Sequence, residues 1–130
     1  MASIFTRIIN GEIPCYKLAE DEFCFSFLDI NPLSKGHALV VPKQELDYLF
    51  DLNDELYLKL NLFAKKMARA IENSVPCKRI GTAVIGLEVP HAHIHLVPIN
   101  GLGDLNFANP KLKLTPEEFK AIQEKIISNL

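Results

Sequence analysis

Three of the four histidines in this chain alternate with apolar residues in residues 91–98, His-Ala-His-Ile-His-Leu-Val-Pro. Successive side chains of a β-strand point to opposite faces, so this spacing places all three imidazoles on one face. Ala92, Ile94 and Leu96 would then face an apolar core. The segment predicts a β-strand that carries a row of histidines on one side and contributes to the core on the other.

Two chemistries use such a histidine row. In one, neutral imidazole nitrogens bind a metal ion, which needs further ligands from cysteine, carboxylate or another histidine. In the other, histidine acts as a nucleophile and as a proton donor. Three neighbouring imidazoles cannot all be charged, because like charges repel, so some remain neutral and nucleophilic near pH 7. A phosphorus centre is a suitable electrophile, because the other imidazoles can donate to its oxygens.

The composition bounds the remaining possibilities. A chain of 130 residues that is 48% hydrophobic predicts one domain, residues 1–130, with its own core. The net charge of −2, without a basic run, argues against binding to nucleic acid or to an anionic membrane. The three cysteines form no Cys-x-x-Cys pair, and no apolar stretch reaches the roughly 18 residues of a membrane span. We therefore expect a cytoplasmic protein.

Local signals predict three helices and five strands. Ser3 caps a short helix that ends at Gly11, Asn53 caps a long one, and Thr115 opens a capping box before the last. Strands are predicted at residues 16–19, 23–28, 38–42, 78–86 and 91–98. Consecutive strands with one long helix inserted between them favour an α+β fold with a five-stranded antiparallel sheet.

Asp29 stands at the end of the second strand, and its residue type alone leaves two interpretations open. Its carboxylate can cap the following turn, or it can accept hydrogen bonds from two hydroxyl groups of a ligand.

The histidine segment resembles the signature of the histidine-triad (HIT) family of nucleotide-binding hydrolases and transferases. The N-terminal half agrees with the same family, through Phe-Leu-Asp-Ile-Asn-Pro at residues 27–32 and Gly-His-Ala-Leu-Val-Val-Pro at residues 36–42. The spacing is most similar to that of the phosphoramidase branch, the histidine-triad nucleotide-binding proteins. The resemblance implies a HIT-like fold across the single domain.

The resemblance also implies roles for individual residues. His93 would attack the α-phosphorus of a nucleotide, and His95 would contact a phosphate oxygen or the leaving group, with His91 and His37 in support. Asp29 would hold the ribose hydroxyls. The remaining nucleotide-binding residues would be Ile4, Phe5, Ile8, Ile13, Leu28, Ile30, Glu88 and Val89.

The implied activity is hydrolysis, or nucleotidyl transfer, at the α-phosphate of an AMP-type purine nucleotide through a nucleotidyl-histidine intermediate. The expected substrate is a phosphoramidate. The alternatives are a dinucleoside polyphosphate substrate and a non-enzymatic nucleotide-binding module. No metal or cofactor is expected, although a metal-dependent hydrolase remains a third class. Family resemblance further implies a homodimer joined through the long helix, with Leu58 and Leu62 in the interface.

The sequence departs from the family pattern just before the triad. Leu87 replaces a glutamine, and Glu88 replaces a serine or threonine, so two expected phosphate partners are missing. Ile80 replaces a small or amide residue. Ser3 and Thr6 occupy the positions where some bacterial relatives carry the cysteines of a structural zinc site, and the chain has no tryptophan. These changes concern substrate choice and rate more than the fold.

Overall fold

The structure is a computed structural model, and it describes residues 2–130. Five strands form one antiparallel sheet, and three α-helices accompany it. The helices are α1 (Ile4–Ile9), α2 (Asp54–Glu72) and α3 (Pro116–Ser128). The strands are β1 (Lys17–Glu20), β2 (Cys24–Leu28), β3 (Ala38–Pro42), β4 (Arg79–Ala83) and β5 (Ile94–Ile99). The predicted α+β fold is confirmed.

The sheet has the order β1-β2-β3-β5-β4. Strand β3 is therefore central, and β5 lies between β3 and the edge strand β4. Every paired strand runs antiparallel to its neighbour. Leu39 of β3 lies opposite His95 of β5, and Val40 lies opposite Ile94. This register places the histidine segment beside a fully buried strand.

The three predicted helix starts are confirmed by their caps. The Ser3 hydroxyl accepts from the backbone N–H of Thr6, and the Asn53 side chain accepts from that of Leu56. Thr115 and Glu118 form the reciprocal capping box of α3. Such caps satisfy backbone donors that a helix cannot pair internally.

The sheet separates two apolar clusters, because successive residues of β3 alternate between its faces. Ala38 and Val40 belong to the larger cluster, which α2 covers with side chains such as Leu60. Leu39 and Val41 belong to the smaller one, together with three phenylalanines, Phe5, Phe25 and Phe27. Ala92, Ile94 and Leu96 lie in the larger cluster, as predicted. The imidazoles therefore lie on the side of the smaller cluster.

The first two predicted strands differ from the structure by one residue, and the last two by three residues at one end. The strand predicted over residues 78–86 ends at Ala83, and the one predicted over residues 91–98 begins only at Ile94. Proline has no N–H to donate, so Pro42 ends the ladder between β3 and β5. The Pro42 carbonyl binds the ring Nε2 of His91, and the Ala92 N–H donates to Leu46 instead. His91 and His93 thus precede the strand rather than belong to it.

Candidate active site

A cavity of about 470 Å³ opens on the face of the sheet that carries the smaller apolar cluster. Its volume lies within the range of roughly 300–1,000 Å³ found for small-molecule sites. Its walls include His37, His93 and His95, whereas His91 lies behind them and is fully buried. All residues predicted to bind nucleotide line it: Ile4, Phe5, Ile8, Ile13, Leu28, Asp29, Ile30, Glu88 and Val89.

His93 has one ring nitrogen bound and the other free. Its Nδ1 lies 2.8 Å from the carbonyl oxygen of His91, so Nδ1 carries the proton and donates it. The neutral ring then has a lone pair on Nε2. Phe5 of α1 packs edge-on against the ring, with centroids 4.9 Å apart, and fixes its plane. His93 is therefore held as a ring with a nucleophilic nitrogen.

His37 and His95 form a chain of hydrogen bonds that assigns the tautomer of each ring. The backbone N–H of Leu33 donates to Nδ1 of His37 at 3.0 Å, so a neutral His37 carries its proton on Nε2. That Nε2 lies 3.0 Å from Nδ1 of His95, which accepts. His95 consequently carries its proton on Nε2. Gly36, at φ 94°, provides the left-handed backbone conformation that leads into His37.

Both of these rings are neutral at pH 7. Burial, and then the repulsion of His95, lowers the pKa of His37 to about 3. Burial, and then the repulsion of His93, lowers the pKa of His95 to about 4. The site thus combines a lone pair on His93 with an N–H donor on His95, and the two ring centroids lie 4.9 Å apart. A nucleophile beside a hydrogen-bond donor suits attack at an oxygen-rich electrophile.

His91 connects this site to α1. Its Nε2 donates to the Pro42 carbonyl at 2.8 Å, so its Nδ1 accepts from the Ser3 hydroxyl at 2.7 Å. The Glu45 carboxylate accepts from the Ser3 backbone N–H and the Thr6 hydroxyl, each at 2.6 Å. These bonds tie the first turn of α1 to the residue whose carbonyl orients His93.

Asp29 caps its own turn and also lines the cavity. Its Oδ1 accepts from the Asn31 N–H at 2.8 Å, while its Oδ2 lies 3.5 Å from Nε2 of His37. Burial raises the pKa of Asp29, and the Asn31 hydrogen bond acts in the opposite direction. One carboxylate oxygen is therefore committed to the turn, and the other faces the histidines.

Sequence reasoning missed several residues of the cavity wall. Phe107 packs edge-on against His95, with centroids 4.7 Å apart, and Lys111 lies beside it. No motif marks this segment, and only the fold brings it to the histidines. Ile85 and Leu87 also reach the wall, from the irregular segment before the triad.

Within residues 2–130, Asp29, His37 and His95 form a group whose donor atoms come close enough to bind a metal ion. One potential ligand atom from each lies within 4.8 Å of the other two. The two histidine nitrogens, however, already form a hydrogen bond with each other at 3.0 Å. The donor set is thus satisfied by its own contacts, and a metal would have to break that bond.

Comparison with known proteins agrees with this geometry. The family model of the HIT domain matches residues 10–101. This chain belongs to the HIT family. It is 39% identical to adenosine 5'-monophosphoramidase hnt1 of Schizosaccharomyces pombe, over 100% of this chain and 99% of that protein.

Two solved HIT structures have the same fold. A Hit-like protein from Bartonella henselae is 26% identical, with a TM-score of 0.84 over 98% of this chain and 96% of its own. A Zn-bound histidine triad family protein from Mycobacterium smegmatis is also 26% identical, with a TM-score of 0.81 over 98% and 95%. The HIT family model leaves out α1 and the segment with Phe107 and Lys111, although both reach the cavity.

Proposed function

We propose that this HIT protein hydrolyses nucleoside 5'-phosphoramidates, with AMP-type purine nucleotides as substrates. The observation that carries the proposal is the hydrogen bond from Nδ1 of His93 to the His91 carbonyl, which leaves Nε2 with a lone pair. The relative from S. pombe is named for the same activity, and this chain aligns with nearly all of it.

The first chemical step forms a covalent intermediate. Nε2 of His93 attacks the α-phosphorus, a bond between nitrogen and phosphorus forms, and the bond from phosphorus to the leaving amine breaks. The Nε2–H of His95 donates to a phosphate oxygen or to the departing nitrogen. The departing nitrogen takes a proton from solvent and leaves as the amine, and the nucleotide remains attached to Nε2 of His93, whose Nδ1 keeps its own proton.

The second step returns the enzyme to its starting state. Water attacks the phosphorus of the nucleotidyl-histidine, and the bond from phosphorus to Nε2 breaks. One proton of that water returns to solvent, and the nucleoside monophosphate is released. A neutral His37–His95 pair supports both steps, because the Nε2–H of His95 can donate a hydrogen bond without either ring first gaining a proton. A different acceptor in place of water would make the protein a transferase.

The apolar part of the cavity offers a surface for a purine base, and Asp29 offers an acceptor for the ribose hydroxyls. Phe5, Ile8 and Ile13 offer flat or branched apolar surface on one side, and Leu28 and Ile30 flank Asp29. Oδ2 of Asp29 can accept from a sugar hydroxyl while Oδ1 stays in its turn. The adenine preference rests on the relative's name and belongs to this proposal.

Turnover of adenosine 5'-phosphoramidate by the purified protein tests the proposal. We expect AMP to be released at the same rate with and without a chelator. An intermediate trapped by rapid acid-free quenching should carry one nucleotide on the peptide that contains His93. Loss of activity on chelation would favour the metal-dependent alternative at Asp29, His37 and His95. Nucleotide binding without turnover would favour a non-enzymatic module.

Dinucleoside polyphosphate hydrolysis is the second candidate, and the residues before the triad favour the phosphoramidate over it. Leu87 is 89% exposed and offers no hydrogen bond to a phosphate chain. Glu88 lines the cavity with a carboxylate, which repels further phosphate groups. A substrate panel that includes both classes ranks them directly.

We further propose a two-fold homodimer joined through α2 and the edge strand β4. Leu58 and Leu62 lie one turn apart on α2 and are exposed by 60% and 65%, so a self-complementary contact would bury them. Light scattering at micromolar concentration should give the mass of a dimer, and Leu62→Glu should give that of a monomer. Ile127→Glu on α3 is the matched control and should remain dimeric.

A cytoplasmic location belongs to the proposal as well. Cys15, Cys24 and Cys77 are all free thiols, as expected in a reducing compartment. Within residues 2–130, no helix is both long and apolar enough to cross a membrane. Fractionation of cells that express the native protein would test the location.

A further inference from the structure

The segment of residues 106–111, here called the cap segment, covers one side of the histidine site. Phe107 contributes its ring edge to His95, and its centroid lies 6.3 Å from that of His37. The segment lies beyond the residues that the HIT family model matches, which end at 101. It is therefore a feature of the cavity that the family match does not describe.

The cap segment is held by hydrogen bonds at both of its ends. The Asn106 side chain accepts from the Ala108 N–H at 2.9 Å, and the Asn109 side chain donates to the Gly103 carbonyl at 2.7 Å. Just after the segment, the Leu112 N–H donates to the Pro32 carbonyl at 2.8 Å. Its conformation is thus fixed before any ligand binds.

Lys111 ends the cap segment, and its ammonium group is fixed by the same backbone. It donates to the carbonyl oxygen of Phe107 and, at 3.0 Å, to that of Asn109. An ammonium group has three N–H donors, so one remains for a ligand. The positive charge of Lys111 acts to lower the pKa of both Asp29 and His37, so the group lies near the part of the wall where His37 binds His95.

Lys111 differs in the sign of its charge from the carboxylates of the cavity wall. Among the described residues that line the cavity, it is the one lysine or arginine, whereas Asp29 and Glu88 contribute carboxylates. His37 and His95 are neutral at pH 7 because burial lowers the pKa of each. Without Lys111, an anionic phosphate would enter a site whose permanent charges are all negative, which Coulomb repulsion opposes.

We propose that Lys111 binds a non-bridging oxygen of the α-phosphate and supplies a phosphate contact where Leu87 and Glu88 supply none. The inference rests on the proposed function, because it uses the placement of the α-phosphorus at Nε2 of His93. The cap segment is then a phosphate subsite as well as a wall. It makes the cavity selective for nucleotides over nucleosides.

Binding of AMP and of adenosine to Lys111→Met, measured by calorimetry, tests the inference. Methionine keeps most of the side-chain length and removes the charge. We expect Kd for AMP to rise about tenfold, which corresponds to about 1.4 kcal/mol, and Kd for adenosine to stay unchanged. Lys111→Arg should retain most of the AMP affinity. Lys113→Met, at an exposed lysine outside the cavity wall, is the matched control and should bind both ligands like the wild type.

Three results would overturn the inference. An unchanged Kd for AMP in Lys111→Met would show that the charge does not reach the phosphate. An equal loss for AMP and adenosine would assign Lys111 to the shape of the cap segment. A loss confined to turnover of phosphoramidates with a carboxylate on the amine would place Lys111 at the leaving group.

The failure of the proposed function gives a different pattern. A protein that binds AMP through Lys111 but does not release amine from adenosine 5'-phosphoramidate would retain the phosphate subsite and lose the hydrolase assignment. A protein with normal turnover and an AMP affinity independent of Lys111 would retain the hydrolase and lose the subsite. Thermal melting of each variant confirms that its fold is intact.

Discussion

Nδ1 of His93 donates a hydrogen bond to the carbonyl oxygen of His91, 2.8 Å away, across a single intervening residue. The His91 ring is itself fixed at both nitrogens, by Ser3 and by the Pro42 carbonyl. The first histidine of the triad therefore acts on the second through its backbone. This contact keeps the proton of His93 on Nδ1 and away from Nε2, the nitrogen that we propose attacks the phosphorus.

His93→Ala should abolish phosphoramidate turnover while AMP still binds. Covalent catalysis is lost altogether, so we expect kcat to fall by at least roughly a thousandfold. Amine release and AMP affinity, measured on one preparation, provide the test, with the affinity as the internal control for folding. Near-normal turnover in this variant would exclude His93 as the nucleophile.

Asp29→Asn should weaken ribonucleotides selectively. The amide oxygen can still accept from the Asn31 N–H, so the turn is kept, while the negative charge that we propose binds the ribose hydroxyls is lost. Hydrogen bonds to a charged group contribute about 1.5–3 kcal/mol, which predicts at least a tenfold loss for AMP and a much smaller loss for 2'-deoxy-AMP.

Asp21→Asn is the matched control for that experiment. Asp21 also caps its own turn, by accepting from the Phe23 N–H at 2.8 Å, but it lies between β1 and β2, outside the cavity wall. Its variant should bind both nucleotides like the wild type. Equal losses for the two sugars in Asp29→Asn would reduce Asp29 to a turn residue.

The sequence predicted the fold well because its local signals and its hydrophobic patterns agree. Ser3, Asn53 and Thr115 each have a side chain that can cap a helix, and each does. The alternation of Ala92, Ile94 and Leu96 with the histidines correctly predicted the two faces. The start of β5 was wrong, because the lack of an N–H on Pro42 matters only once the register with β3 is known.

The cavity was predictable only in part, for a physical reason. Residues near the histidines in the motif carry recognisable patterns, whereas Phe107 and Lys111 reach the site through a loop of low regularity. The backbone bond from Leu112 to Pro32 brings that loop to the cavity, and no sequence signal reports such a long-range contact. The hydrogen bond of His91 to Ser3 was missed for the same reason.

Acidification should destabilise the protein between pH 6.5 and 5. The pKa of His37 is about 3 and that of His95 about 4 in the folded chain, against 6.5 in the absence of the fold. The unfolded chain therefore binds more protons in this window, and the free energy of unfolding falls as pH falls, by up to about 1.4 kcal/mol per pH unit for each ring.

Urea unfolding at pH 7, 6 and 5 measures this slope. Glu20 and Glu45, whose pKa values are lowered to about 2 by hydrogen bonds, affect stability only below about pH 4.5, outside the window. In His95→Gln, the slope of the free energy of unfolding against pH should be smaller, by the amount that corresponds to about one proton. A free energy of unfolding that stays constant from pH 6.5 to 5 would contradict neutral burial of these histidines.

Glu88→Ser should change the preference between substrate classes. Glu88 lines the cavity, three residues before the first histidine of the triad, and we expect its carboxylate to favour a leaving group with a cationic amine and to disfavour a polyphosphate. Removing the charge should raise kcat/KM for a dinucleoside polyphosphate relative to an amine phosphoramidate by about tenfold, a change of about 1.4 kcal/mol in relative barrier.

Glu22→Ser, in the exposed turn between β1 and β2, is the matched control. If the ratio of the two kcat/KM values is the same in Glu88→Ser and in the control, the carboxylate does not contact the leaving group, and discrimination must come from the rest of the wall.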